Sequence, residues 1–443
     1  MKKKKSALTK QMDLRAYEQF SNDPNPKYGL PKNIEFCVKC CLSNQRPNSA
    51  VEFKHTKNSK KTTLNLNASG VCDACRTAEN KNNEIDWAER EQELHQLCEK
   101  YRSRNGSYDC IVPGSGGKDS FYQSWMLKYK FGMNPLTVTW SPNIYTDWGR
   151  KNFDCWVHSG MDNYLITPSG RTKRLLTRLA LENLFHPFQP FMIGQKNIGA
   201  KFAMMLNIPL IFYGENEAEY GNPFEDNRDA QRSYDFFSSS SDDELFIGGE
   251  NLVDLRETFG LNTSDLQPYL PIDLDPLTKM GSETHYLGYY LKWHPQAAYY
   301  FAVENGGFKA APERNSGTYS KYNSVDDKID DFHYYTTFIK FGIGRATYDA
   351  SQEVRSGDIA REEALALIKR YDGEYPERWS EEIFSYLSID EKSFPVAHNA
   401  FEHPLMDRNY FDALTDQFRS PHIWTFKDSA WNLRKQAIDF FGA

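Results

Sequence analysis

From residue 109 to residue 213 short apolar runs alternate with amphipathic stretches of helical length, and that rhythm leaves few folds open. Runs at 109–113, 135–140, 163–167 and 209–213 suit buried strands. Stretches at 119–131, 146–159, 172–185 and 197–206 suit helices, two of them followed by a glycine, Gly132 and Gly160. Repeated βα units of this length predict an α/β fold, a doubly wound parallel sheet covered on both faces, because each crossover lays its helix on the sheet. A fifth strand is expected at 286–291, before a helix over 294–304. The serine run 238–241, followed by Asp242-Asp243-Glu244, breaks the rhythm, so 234–282 reads as an insertion or lid.

The flanks differ in character. Residues 1–32 are polar and rich in Lys, Asn and Pro, and read as a frayed tail. Residues 33–80 form a cysteine-bearing module, 81–106 a connecting helix, 107–330 the α/β domain, and 331–443 a mostly helical extension suited to substrate or partner binding. In the connecting helix Asp86 caps with Glu89 as its partner, and Leu94, Leu97, Cys98 and Tyr101 make the buried stripe. A net charge of -7 argues against a protein that grips nucleic acid. No apolar run is long enough to span a bilayer and no leader follows the lysines at the start, so a cytoplasmic location and no membrane contact are expected.

The second strong feature is the junction Pro113-Gly114-Ser115-Gly116-Gly117-Lys118-Asp119-Ser120, between a strand and a helix. Unpaired amides and the positive end of the helix dipole make such a junction an anion site. Glycines allow close backbone approach, Lys118 adds a charge and Ser120 a hydroxyl. It is not a Walker A loop, because Val112 and Asp119 stand where that motif needs Gly and Ser/Thr. It resembles the loop of the ATP-pyrophosphatase (PP-loop) superfamily, whose fold is of the HUP-like type and which holds the β,γ-pyrophosphate of ATP while a nucleophile attacks the α-phosphorus. After the run 209–213 come Gly214-Glu215-Asn216-Glu217, at the strand end where open sheets bind ligands. Glu215 and Glu217 are candidates to hold Mg²⁺ on the phosphates, with Asn216 beside them.

Cys37-x-x-Cys40 and Cys72-x-x-Cys75 give four thiolates in two chelating turns, the set preferred by structural Zn²⁺, with Cys41 as an alternative ligand and an iron-sulfur or redox site as the other readings. The Lys/Asn/Ser/Thr-rich stretch 54–67 between the pairs lacks helical periodicity, so the module is expected to be held by metal and not by a core. Cys98, Cys110 and Cys155 are single and read as small core residues.

These features, together with Tyr213-Gly214-Glu215-Asn216, Leu287-Gly288-Tyr289-Tyr290-Leu291-Lys292-Trp293-His294-Pro295, Lys340-Phe341-Gly342-Ile343-Gly344-Arg345-Ala346, Arg355-Ser356-Gly357 and Arg361-Glu362-Glu363, resemble the N-acetyl sugar amidotransferases across residues 33–380. That resemblance implies conversion of an acetamido group to an acetamidino group on a sugar of surface polysaccharide or flagellin glycans. It implies ATP, Mg²⁺ and Zn²⁺ as cofactors, and an N-acetylated sugar or nucleotide-sugar as substrate. It also implies a partner that supplies ammonia, like the glutaminase and cyclase subunits of histidine biosynthesis. Lys118, Asp119, Glu215 and Asn216 are the expected catalytic residues, and Lys292, His294, Arg345 and Arg355 candidate substrate contacts; Arg361 and His333 share that candidacy. Aromatic segments at 286–293 and 332–341 could wall the intermediate from water. The rival readings are a transfer-RNA thiolation enzyme, which would need a further catalytic cysteine pair, and a zinc-bearing scaffold that binds nucleotide without turnover.

Overall fold

The computed structural model describes residues 2–21, 24–239 and 241–441; Asn22 and Asp23 of the expected tail and Ser240 of the serine run lie outside them. Five strands form one parallel sheet: β1 (Cys110–Pro113), β2 (Pro135–Trp140), β3 (Asp162–Ile166), β4 (Leu210–Tyr213) and β5 (Glu283–Tyr286). Their order is β3-β2-β1-β4-β5, so the winding reverses between β1 and β4. Ile111 pairs with Leu136 on one side and Ile211 on the other, which sets the register at that reversal.

Alternation along the strands explains why the central ones read as unbroken apolar runs. Ile111 and Ile211 enter one hydrophobic cluster with helices Gly170–Leu184 and Gln189–Leu206. Cys110, Val112, Leu210 and Phe212 enter a second cluster, on the other face, with helix Trp87–Tyr101. Both faces are thus covered, as a parallel sheet requires. Gly194 lets its helix approach the sheet: a Cβ there would lie 2.2 Å from the Trp140 ring.

Three expectations are corrected. The fifth strand is Glu283–Tyr286, and the apolar run after it is a helical turn, Leu287–Tyr290. Thr284 and His285 are polar yet buried, and the His285 ring pairs with the Tyr290 hydroxyl at 2.7 Å, so the strand carries no apolar signature. The N-terminal segment packs instead of fraying. Lys4 donates its backbone N–H to Ala400 and lies 3.2 Å from Glu250, while Tyr17 is buried with its hydroxyl on the Arg419 carbonyl. The stretch between the cysteine pairs also joins the main core, where Phe53 is 1% exposed.

The insertion 234–282 holds a short hairpin, Phe246–Ile247 against Glu250–Asn251, and helices Leu252–Glu257, Thr263–Leu266 and Leu274–Met280. Beyond it come helices Pro295–Gly306, Asp330–Phe341, Arg345–Ser356, Arg361–Tyr371 and Arg408–Phe418, and a hairpin of Trp424–Lys427 with Ala430–Leu433.

Candidate active site

The reversal between β1 and β4 puts the 114–120 loop beside Gly214-Glu215-Asn216-Glu217, at the carboxyl edge where open parallel sheets take ligands. The loop turns sharply: Gly116 has φ +87°, and a Cβ on it would lie 2.7 Å from the Phe153 backbone. A Cβ on Gly114 would meet that of Ser120 at 2.4 Å, so the turn lies tight against the first turn of the helix. Gly117 is the N-cap of helix Lys118–Trp125 and brings no side-chain cap. Lys118 is buried and reaches Asp119 at 2.6 Å, and the Ser120 hydroxyl donates to the Gly117 carbonyl at 3.1 Å.

Glu215 is half-buried and faces the charge of Asp119. Burial first, and the Asp119 charge second, push its carboxyl up to about 7, while the Tyr220 hydroxyl donates to it. Glu215 and Asp119 together form a carboxylate donor set suited to a cation. Glu217 does not join them: Arg232 and the Tyr286 hydroxyl, at 2.6 Å, hold it elsewhere. The Asn216 amide caps the turn Glu217–Tyr220 and donates to the Asp226 carbonyl at 3.1 Å, which fixes the backbone next to Glu215.

Two chambers meet at this loop. The smaller, about 350 Å³, is lined by Ser115, Gly116 and Gly117 and, opposite, by Asp326, Asp327 and Asp330. Burial lifts all three aspartyl carboxyls, Asp327 to about 6 and Asp330 well above its usual range, the latter also against its two neighbours' charges. The larger, about 460 Å³, runs from Lys118 and Asp119 to helices Asp330–Phe341 and Arg345–Ser356, with residues 46–61 as its far wall. Lys118, Asp119, Asn323, Ser324, His333 and Tyr334 line both.

The larger chamber is rich in buried ionisable groups. Burial pushes Lys340 down to about 7 and His55 to about 4, and holds the His333 imidazole well below its usual range. Lys340 donates to the Leu184 carbonyl at 2.7 Å, and Arg345 pairs with Asp349 at 3.1 Å under the Tyr334 ring. Of the candidate substrate residues, Arg345 and His333 therefore line the chambers. Lys292, His294 and Arg355 do not. Lys292 is exposed, and His294 caps helix Pro295–Gly306 and lies 3.5 Å from Asp358. Arg355 donates to the Glu219 carbonyl at 3.3 Å and faces the thiols of Cys40, Cys75 and Cys72. Arg361 also serves the cysteine module, donating to the Cys37 carbonyl at 2.8 Å. The aromatic segment 332–341 contributes Tyr334 and Phe341 to the larger chamber, whereas 286–293 contributes to neither.

Cys37, Cys40, Cys72 and Cys75 are buried with all four sulfurs within 4.8 Å of one another. The pairs Cys37–Cys75 and Cys40–Cys72 lie 3.8 and 3.7 Å apart, matching the edge of about 3.8 Å that four thiolates make around one tetrahedral Zn²⁺. The set could hold zinc, and spacing this close leaves no room for a cluster with its own sulfides. Cys41 lies apart, packed with Ala350, Ala364 and Leu365. Elemental analysis is expected to find about one zinc per chain, and Cys72→Ser is expected to lose both metal and solubility; stoichiometric iron with visible absorbance would contradict this.

Residues 316–437 match a family model. Its description is LPS biosynthesis protein WbpG-like, C-terminal domain. The likeness supports a place in a family of lipopolysaccharide or sugar biosynthesis, and the matched region supplies His333, Lys340 and Arg345 to the larger chamber. An uncharacterized protein of Methanocaldococcus jannaschii is 32% identical over 84 residues, 19% of this chain and 29% of that protein's length. Among the described residues no helix is long and apolar enough to cross a membrane.

Sequence reasoning missed most of the larger chamber. Arg46, Glu52, His55, Lys61 and His186 carry no motif; for the smaller chamber the loop was read, and the Asp326-Asp327-x-x-Asp330 run was a further signal that went unused.

Proposed function

We propose that this chain is an ATP-dependent amidotransferase of the PP-loop type that converts the acetamido group of an N-acetylated sugar, free or nucleotide-linked, to an acetamidino group. The carrying observation is the 114–120 loop, at the sheet's reversal and on the wall common to two chambers. In this reading the smaller chamber takes ATP and the larger takes the sugar, so that the α-phosphorus and the acetamido oxygen meet near Lys118 and Asp119. The oxygen attacks phosphorus, the bond to the β-bridging oxygen breaks, and pyrophosphate leaves. Ammonia then adds to the imidate carbon and loses a proton. The C–O bond breaks, AMP departs and the amidine remains.

The loop amides, Lys118 and Ser120 would meet the charge that grows on pyrophosphate, where fixed donors count most. Mg²⁺ would be held by Asp119 and Glu215 with the phosphates, and supplies neutralisation of the leaving group. Enclosure of the chambers would keep water from hydrolysing the imidate back to acetamide. Thiolation of transfer RNA is the weaker reading, because Cys110 is fully buried in the sheet and its thiol is pushed well up by burial. Cys41 and Cys98 are likewise pushed up to about 12. Such thiols are poor nucleophiles for glutamine hydrolysis also, which favours ammonia from separate glutaminase and cyclase-like subunits.

The test is amidino-sugar formation by the purified chain with ATP and Mg²⁺. Turnover is expected with ammonium at high pH, where the share of neutral ammonia rises, and with glutamine once the partner subunits are added. Efficient use of glutamine by the chain alone would overturn the partner assignment, and no ATP-dependent amidine under any condition would overturn the activity.

A further inference from the structure

The segment between the two cysteine pairs brings two buried polar side chains into the larger chamber with partners missing. Arg46 is 6% exposed and Glu52 5% exposed, and both line the chamber. Among the described residues the Arg46 side chain reaches only amide oxygens, those of Asn48 and Asn222, at 3.4 Å each, and its Nε has no partner. Glu52 Oε2 makes no hydrogen bond but lies in ion-pair range of His186 and His55, at 3.6 and 3.7 Å, and against its burial the two histidines hold its carboxyl well below the usual range. Desolvating a guanidinium and a carboxylate and leaving bonds unmade is costly, so a site that keeps both is built for a ligand that completes them.

The segment is also held rigidly. Cys40 and Cys72 anchor its ends, and their sulfurs belong to the four-thiol cluster. Residues 46–48 pair with 62–64 through Asn48 to Thr62 and Leu64 to Arg46, both at 2.9 Å. Gln189 donates to the Glu52 carbonyl at 2.8 Å, and Lys196 to that of Ala50 at 3.3 Å, which fastens it to the core helix. Arg361 ties Cys37 to helix Arg361–Tyr371, which packs on helix Arg345–Ser356 of the opposite wall.

We infer that this segment is the element that recognises the acetamido sugar, with the Arg46 guanidinium donating to a ring or acetamido oxygen and the Glu52 carboxylate accepting from a hydroxyl or amide N–H. The inference rests on the amidotransferase reading. The metal's role is then to hold one wall of the sugar chamber, remote from the phosphate loop. A neutral ligand with closely spaced donors and acceptors satisfies both groups, as hydroxyls beside an acetamido group do, whereas an apolar ligand would leave both unpaired.

The test uses the full chain and the variants Glu52→Gln and Arg46→Gln, with steady-state kinetics varying sugar and ATP separately and thermal unfolding of each protein. The expected result is a KM for sugar raised about ten- to hundredfold with an unchanged KM for ATP, whatever the change in melting temperature, since Glu52→Gln also takes the carboxylate from His55 and His186. A structural role alone would lower the melting temperature and leave the ratio of the two KM values as it was, and that result overturns the inference. Should Arg46→Gln fail to fold, Arg46→Lys keeps the charge but loses the Nε donor, and an unchanged KM for sugar there also overturns it. A wild-type chain that forms amidine, with variants indistinguishable from it, removes the inference alone. A wild-type chain that neither forms amidine nor gives saturation-transfer signals from an N-acetylated sugar removes the reading beneath it as well.

Discussion

Lys118→Ala and Ser120→Ala are each expected to lower pyrophosphate release about a hundredfold or more, with the fold intact. The asymmetry between activity and stability follows from their surroundings. Lys118 has Asp119 as its ion-pair partner, and the Ser120 hydroxyl makes one bond within its own turn. Neither holds distant elements together, so truncation leaves the helix Lys118–Trp125 its apolar anchors, Phe121 among them. What is lost is charge and hydrogen bonding aimed at a leaving anion. Pyrophosphate release by each variant, with circular dichroism as the control, measures this. Unchanged turnover in a folded double variant would contradict the role of the loop.

Arg178→Ala is expected to destabilise the chain by about 3–5 kcal/mol, the usual consequence of stripping one member from a buried charge pair. Arg178 is wholly buried in helix Gly170–Leu184. It bonds Glu182 at 2.7 Å and the carbonyls of Leu387, Pro404 and His403 at 2.9, 2.8 and 2.6 Å. A single guanidinium thus joins the α/β core to the C-terminal region. Alanine leaves a buried carboxylate beside Tyr410 and three carbonyls without their donor. Urea unfolding reads the loss directly, and a change below about 1 kcal/mol would show that solvent reaches the site and replaces the bonds.

The parts of the fold legible in the sequence were those with local causes. The runs that became β1, β2 and β4 are buried and largely apolar, and the edge strand β3, partly exposed, was found by its place in the alternation. The phosphate loop and the four cysteines declare themselves by spacing. The fifth strand was misplaced because Thr284 and His285 are polar yet buried, the histidine against Tyr290 and Glu283, whereas the turn after them is apolar. The N-terminal segment looked like a tail because Lys4 finds Asn183 and Glu250 only after folding. The larger chamber was invisible for the same reason. Its far wall comes from a stretch whose Lys, Asn, Ser and Thr content resembles a solvated loop, and nothing in that stretch announces that Phe53 is core or that Glu52 is buried. Arg355 and Arg361 show the converse error: charges read as substrate contacts instead secure the cysteine module.

The most direct measurement of the central claim follows one oxygen atom. An N-acetylated sugar carrying heavy oxygen in its acetamido group is incubated with the chain, ATP, Mg²⁺ and ammonium, and the nucleotide product is analysed by mass spectrometry. Attack of that oxygen on the α-phosphorus, followed by expulsion from carbon, transfers the label to the phosphate of AMP in proportion to amidine formed. Label appearing in inorganic phosphate with ADP as the nucleotide, or unlabelled AMP alongside amidine formation, would contradict adenylation of the sugar.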